Sequence, residues 1–231
     1  MKRLYQRAAA IPAAGGHGVV LDGRLVKTPA GRDLVVPSAA LAAAVAAEWD
    51  AQQGEIRRET MPLTRLAGAA IDRSATQREA IVRQVAHYAG TDLVSYRASH
   101  PPALAARQQA VWQPLIDWAA DRYGAPLMVT NGVIPASQPA ASLDAFAAAV
   151  AAHDDYALTA LHAATAACGS LVIALALLEG RVDAGEAFAA SQLDESFQIE
   201  AWGEDAEQAR RRAALAADIA AAAQFMALLR C

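Results

Sequence analysis

Alanine makes up about a quarter of this 231-residue chain, and aromatic residues only 6%. That imbalance constrains the fold more than any motif. Alanine favours helix over every other residue, and a core short of aromatics must rest on Leu, Val, Ile and closely packed Ala. A mostly helical protein is therefore expected. The length allows one large domain or two small ones.

Charge is mild and mixed: 20 basic and 24 acidic residues, net −4. A nucleic-acid binder would carry a basic face, so no nucleic-acid partner is expected. Cys168 and Cys231 are few and far apart, as in reduced cytosolic proteins. The first residues, Met1 to Arg7, lead into Ile11-Pro12 and Gly15-Gly16 rather than an apolar targeting segment. The longest apolar run, Ala163 to Leu178, is shorter than the ~20 residues of a bilayer span. It reads as a buried core helix, so no membrane insertion is expected.

The first forty residues read as β structure. Asp22-Gly23 lies between Val19-Val20-Leu21 and Leu25-Val26, and Asp-Gly supplies the positive φ angles of a tight hairpin. Leu34-Val35-Val36 would return as a strand, and Leu4-Tyr5-Gln6 would pair at one edge. Gly15-Gly16-His17-Gly18 reads as a flexible lead-in to the hairpin.

Ser38 caps a helix whose stripe is Leu41, Val45 and Trp49. On that stripe Trp49 reads as a core residue joining two domains. Pro62 opens the next helix at its first turn, where its missing N–H costs nothing. Gly68 lies inside that helix, where a better helix former is expected.

Thr76 to Glu79 reads as a capping box, and Leu93 to Tyr96 as a short strand with Leu127 to Val129 as partner. A long helix covers Ala103 to Tyr123. Ser142 and Asp155 would each cap a helix, the second running toward Leu178 with a bend at Gly169. Asp183 to Glu186 is a further capping-box start, and a last helix begins near Asp205. The expected architecture is α+β: a β-rich N-terminal domain with one helix (residues 1–60), then a larger helical domain (residues 61–231).

Sites for small-molecule chemistry are sparse. The five histidines form neither a metalloprotease motif nor a zinc-finger spacing, and His162 and Cys168 fall on different helix faces. No phosphate-binding loop is visible, so no nucleotide, cofactor or metal is expected. Arg210-Arg211-Arg212 reads as a solvated, paired face.

The stretch Asp194 to Asp205 is unusual. It places five carboxylates around Phe197, Trp202 and Gly203. Asp194 and Glu195 are expected at a helix C-terminus, where negative charge is mildly unfavourable, and a group placed against its local preference is a functional candidate. A carboxylate-based or metal-assisted hydrolase using this stretch is the alternative from another class.

Read together, several segments resemble a known family. They are Leu21-Asp22-Gly23-Arg24, Thr28-Pro29, Glu48-Trp49-Asp50 with Gln52-Gln53, and Thr60-Met61-Pro62-Leu63-Thr64-Arg65-Leu66-Ala67. Ala70-Ile71-Asp72-Arg73, Tyr88 to Leu93, Gly169-Ser170-Leu171 and Phe197 to Gly203 complete the set. Their order and spacing resemble the assembly chaperone of the F-type ATP synthase α subunit, in its alphaproteobacterial form.

The resemblance spans nearly the whole chain. It implies a small β domain followed by a helical one, no catalysis, and binding of newly made α subunit. It also implies a bacterial cytoplasm here and the mitochondrial matrix in eukaryotic relatives. On this reading Glu195, Asp194, Glu200 and Trp202 meet the client, while Trp49, Asp22, Gly23 and Pro62 are structural.

Overall fold

The alanine-rich segment Ala8–Ala13 is a strand, β1, paired antiparallel along its whole length with β2 (Gly16–Leu21). This corrects two expectations, the edge strand at Leu4 to Gln6 and the flexible lead-in at Gly15 to Gly18. The glycines build the hairpin instead. Gly15 (φ +84°) makes the turn, and a Cβ on Gly16 would lie 2.4 Å from the Val36 carbonyl oxygen. Alanine has little β preference of its own. Here pairing to β2, whose Val19 and Val20 are buried, overrides it. Pro12, which has no N–H to give, sits on the terminal strand of the sheet, where it is tolerated.

The computed structural model describes residues 2–132, 134 and 136–231. Asp22 (φ +48°) and Gly23 (φ +82°) form the expected tight turn into β3 (Arg24–Leu25). β4 (Val35–Val36) returns to β2, with Val36 opposite His17, and completes a four-stranded sheet. α1 (Ala39–Asp50) packs on this sheet and buries Leu41, Ala42, Val45 and Ala46. Its cap is Ser38, whose hydroxyl oxygen accepts from the Leu41 N–H at 3.0 Å and donates to the Leu228 carbonyl at 2.5 Å. α2 (Pro62–Ala69) starts at Pro62, as expected, and passes through one π turn (Ala70–Ser74) into α3 (Ala75–His87). Thr76 is not a cap. Its hydroxyl donates back to the Asp72 and Arg73 carbonyls, and the irregular backbone falls at Gln77.

After α3 a 3₁₀ turn at Leu93–Ser95 precedes β5 (Tyr96–Arg97), which pairs in parallel with β6 (Thr130–Asn131). The partner therefore lies just beyond the expected Leu127 to Val129. α4 (Pro102–Tyr123) ends at Gly124 (φ +63°). In α5 (Ala140–Ala151) Ser142 lies inside the helix and donates to the Pro126 carbonyl rather than capping. α6 (Asp155–Cys168) is capped by Asp154, one residue before the expected Asp155. Gly169 (φ +64°) and the Ser170 cap then separate α6 from α7 (Leu171–Glu179), where one bent helix was expected. Every residue of α7 from Leu171 to Leu178 is buried, which explains the long apolar run. α8 (Ala184–Ser191) opens with the expected capping box between Asp183 and Glu186. α9 (Leu193–Trp202) and α10 (Ala206–Leu229) follow. By length and composition alone α10 could cross a membrane. One stripe of it, Ile219, Ala222, Phe225 and Met226, is buried within the protein.

By packing, the chain forms two compact units. One runs from the N-terminus to Arg78 and includes Asp154–Ala160 and Gln224–Cys231; the other comprises Glu79–His153 and Leu161–Ala223. A small N-terminal antiparallel sheet followed by a larger helical region is the expected fold class.

Candidate functional site

α9 carries the candidate client-binding residues, and its position changes their meaning. Asp194 and Glu195 occupy its first turn, not a helix C-terminus. A single non-helical residue, Gln192 (φ −109°, ψ 23°), ends α8 and starts α9, with no Gly or Pro to mark the break. Negative charge there is favoured by the helix dipole, not opposed by it.

Each carboxylate has a partner. Gln108 Nε2 donates to Asp194 Oδ1 at 2.7 Å. Glu195 accepts from Gln208 Nε2 at 3.0 Å and pairs with Arg211. Arg107 holds Glu200 with two hydrogen bonds, at 2.7 and 3.0 Å, and its guanidinium stacks 5.3 Å from the Phe197 ring centre. Glu204 pairs with Arg212 at 3.1 Å. The arginine run is thus a paired face, as expected, for Arg211 and Arg212.

The Arg107 hydrogen bonds hold Glu200 below the usual carboxylate range, and the Gln208 hydrogen bond does most to lower Glu195. A hydrolase would want a carboxyl raised into the working range as acid. These two are pushed the other way. No three His, Cys, Asp or Glu side chains converge for a metal ion among the described residues. Trp202 closes α9, 82% exposed, and Gly203 (φ +85°) stops the helix behind it.

In the first unit an open cavity of about 600 Å³ lies among Val26, Pro29, Leu34, Trp49, Met61 and Gly68, with charged side chains at its edge. Trp49 forms part of this wall, half-buried rather than enclosed, with its indole edge-on to Tyr5 at 6.0 Å. Apart from the unexpected Gly68, no local signal in the sequence marks the cavity. Its walls come from separate segments, and only their assembly creates the space.

Sequence reasoning also missed the role of three carboxylates that tie distant segments together, two of them between segments that line the cavity. Glu48 accepts from the Leu63 and Thr64 N–H groups (2.7 and 2.8 Å) and from the Thr64 hydroxyl (2.7 Å), capping α2 from α1. Asp72 accepts from the Thr28 hydroxyl (2.7 Å) and the Ala30 N–H (3.0 Å). Buried Asp92 accepts from the Leu171 and Val172 N–H groups (2.8 and 3.1 Å) at the start of α7. Each lies in a segment that carries the family resemblance, and each bonds to another such segment, Glu48 and Asp92 through backbone N–H groups and Asp72 through the Thr28 hydroxyl. Asp22 does the same for the Gln6 and Arg7 N–H groups, and these bonds lower its pKa.

Comparison with known proteins agrees with this architecture. Residues 2–120 match the family model described as ATP12 chaperone protein. The crystal structure of Atp12 from Paracoccus denitrificans superimposes with a TM-score of 0.94 at 43% identity, covering 99% of this chain and 98% of that one. A mutant of the same Paracoccus protein gives 0.94 at 42%, with the same coverage. The mitochondrial atp12 protein of Schizosaccharomyces pombe is 25% identical over 221 residues, 90% of this chain and 76% of its own. The chain belongs to the ATP12 chaperone family.

Proposed function

We propose that this chaperone binds the unassembled α subunit of the F-type ATP synthase, shields it from aggregation and releases it into the catalytic hexamer, without catalysis of its own. Family membership makes the chain a chaperone of ATP synthase assembly; the identity of the client and the binding face are the proposal. An unassembled subunit exposes an apolar interface, which is an aggregation hazard. A holding protein needs an apolar anchor and polar neighbours that let go.

The observation that carries this reading is Trp202, 82% exposed at the end of α9, a helix that also carries the Glu195–Arg211 and Glu200–Arg107 pairs. Tryptophan is the side chain most often found at the energetic centre of protein interfaces. Exposed ion pairs contribute only about 0–1 kcal/mol each. Basic groups of a client can therefore displace Arg107 or Arg211 from Glu200 or Glu195 at small cost. Asp194 faces Gln108 and holds the base of the helix. The bacterial cytoplasm is the compartment this reading requires.

Light scattering of purified α subunit on dilution from denaturant tests it. The wild-type chain should suppress scattering, while Trp202→Ala and Glu195→Lys should do so only at about tenfold higher concentration, with unchanged circular dichroism. Full suppression by both variants would remove α9 as the binding face.

A further inference from the structure

We infer that the cavity of the first unit is a second client site, which takes bulky apolar side chains of a polypeptide segment flanked by carboxylates. The identity of that polypeptide as the α subunit rests on the reading above. The site itself rests on three features of the cavity.

The first is its size and lining. About 600 Å³ falls within the range of true ligand pockets and admits a few side chains. Val26, Leu34 and Met61 are buried residues at its wall, and Pro29 is an exposed one at its mouth.

The second is Gly68. It lies inside α2 with ordinary helical backbone, not in the left-handed region where glycine would be required. A Cβ there would meet only Pro29 Cδ, at 3.7 Å, an ordinary contact. Nothing local demands glycine, yet glycine costs a helix roughly 1 kcal/mol relative to alanine. What the missing side chain preserves is the open cavity.

The third is charge. Lys27, Arg58, Arg65 and Arg73 line the cavity against one carboxylate, Asp72. Both Asp72 oxygens are occupied by Thr28 and Ala30. Lys27 is paired with Asp33, whereas Arg58 and Arg73 make no ion pair among the described residues. This local surplus of cations runs against a chain whose net charge is −4. Complementarity therefore selects acidic flanks. All lining residues fall within residues 2–120, the span that matches the family model, and α9 lies outside it.

The test uses the full chain and two variants. Gly68→Leu fills the cavity from a helix-favouring side chain, and Arg58→Glu with Arg73→Glu reverses the exposed cations without touching the core. The probes are short overlapping synthetic peptides spanning the α subunit, read by fluorescence polarisation, and intact α subunit, read by capture. Circular dichroism and melting temperature accompany both.

Peptides combining bulky apolar and acidic residues should bind the wild type and lose about tenfold in affinity in both variants. Bound peptides that are basic, or that bind both variants as well as wild type, would overturn the site. Loss of peptide binding in the variants, with no capture of intact α by wild type, would keep the site and remove the client. Equal capture of α by wild type and both variants would keep the client and remove the site.

Discussion

Asp92 has no exposed surface, yet its carboxylate takes three backbone N–H bonds, from Val94, Leu171 and Val172. Burial raises its pKa from 3.8 to about 6, opposed by those bonds and by one from the Ser170 side chain. The folded-state value lies above the unfolded one. Its contribution to stability is therefore fully present below about pH 4 and is lost as pH rises through about 6. A carboxyl-carbon NMR titration should place the Asp92 midpoint near 6, and a midpoint below 4 would refute this. Asp92→Asn should destabilise the protein by roughly 2–4 kcal/mol in urea titration, because an amide cannot present an acceptor to all three N–H groups. A residue of this kind is hard to find in a sequence. Asp92 read as one member of a family-like segment, and only its three-dimensional neighbours show that it ties that segment to Gly169-Ser170-Leu171. Trp202 stood out in the sequence only as part of the acidic stretch, and its 82% exposure is evident only in the fold.

Elements with strong local signals were legible, and those decided by packing were not. The Asp22-Gly23 hairpin, the Ser38 cap, Pro62 at the start of α2 and the Asp183–Glu186 box all formed as expected. β1 was missed because alanine carries no strand signal, and the α8–α9 break because Gln192 is an unmarked joint. That second miss reversed the electrostatic reading of Asp194 and Glu195. α2 makes the clearest element-scale predictions. Glu48→Gln removes one of the two acceptor oxygens that cap it and should cost about 1–2 kcal/mol by chemical denaturation. Gly68→Ala should raise the melting temperature by about 2–4 °C, from a gain of up to ~1 kcal/mol in helix propensity. A fall in melting temperature would mean that the glycine is structurally required.

On the scale of the whole molecule, the α+β architecture was readable from alanine content, the hairpin and the capping residues together. The candidate sites were only half readable. The acidic stretch announced itself in composition, although the structure neutralises most of it with Arg107, Arg211 and Arg212. The cavity did not, because its lining is assembled from separate turn, loop and helix segments, and even the unexpected Gly68 says nothing of a cavity until they meet. Client binding through the exchangeable ion pairs of α9 should weaken with salt, since exposed charges are screened beyond a Debye length of about 8–10 Å near physiological ionic strength. Capture of ATP synthase α and β subunits by the tagged chain, each expressed without the other in the same organism's background, tests the client assignment most directly. Capture of soluble α and not of β is the expected result. Capture of both alike, or of neither while unassembled α is present, would contradict it.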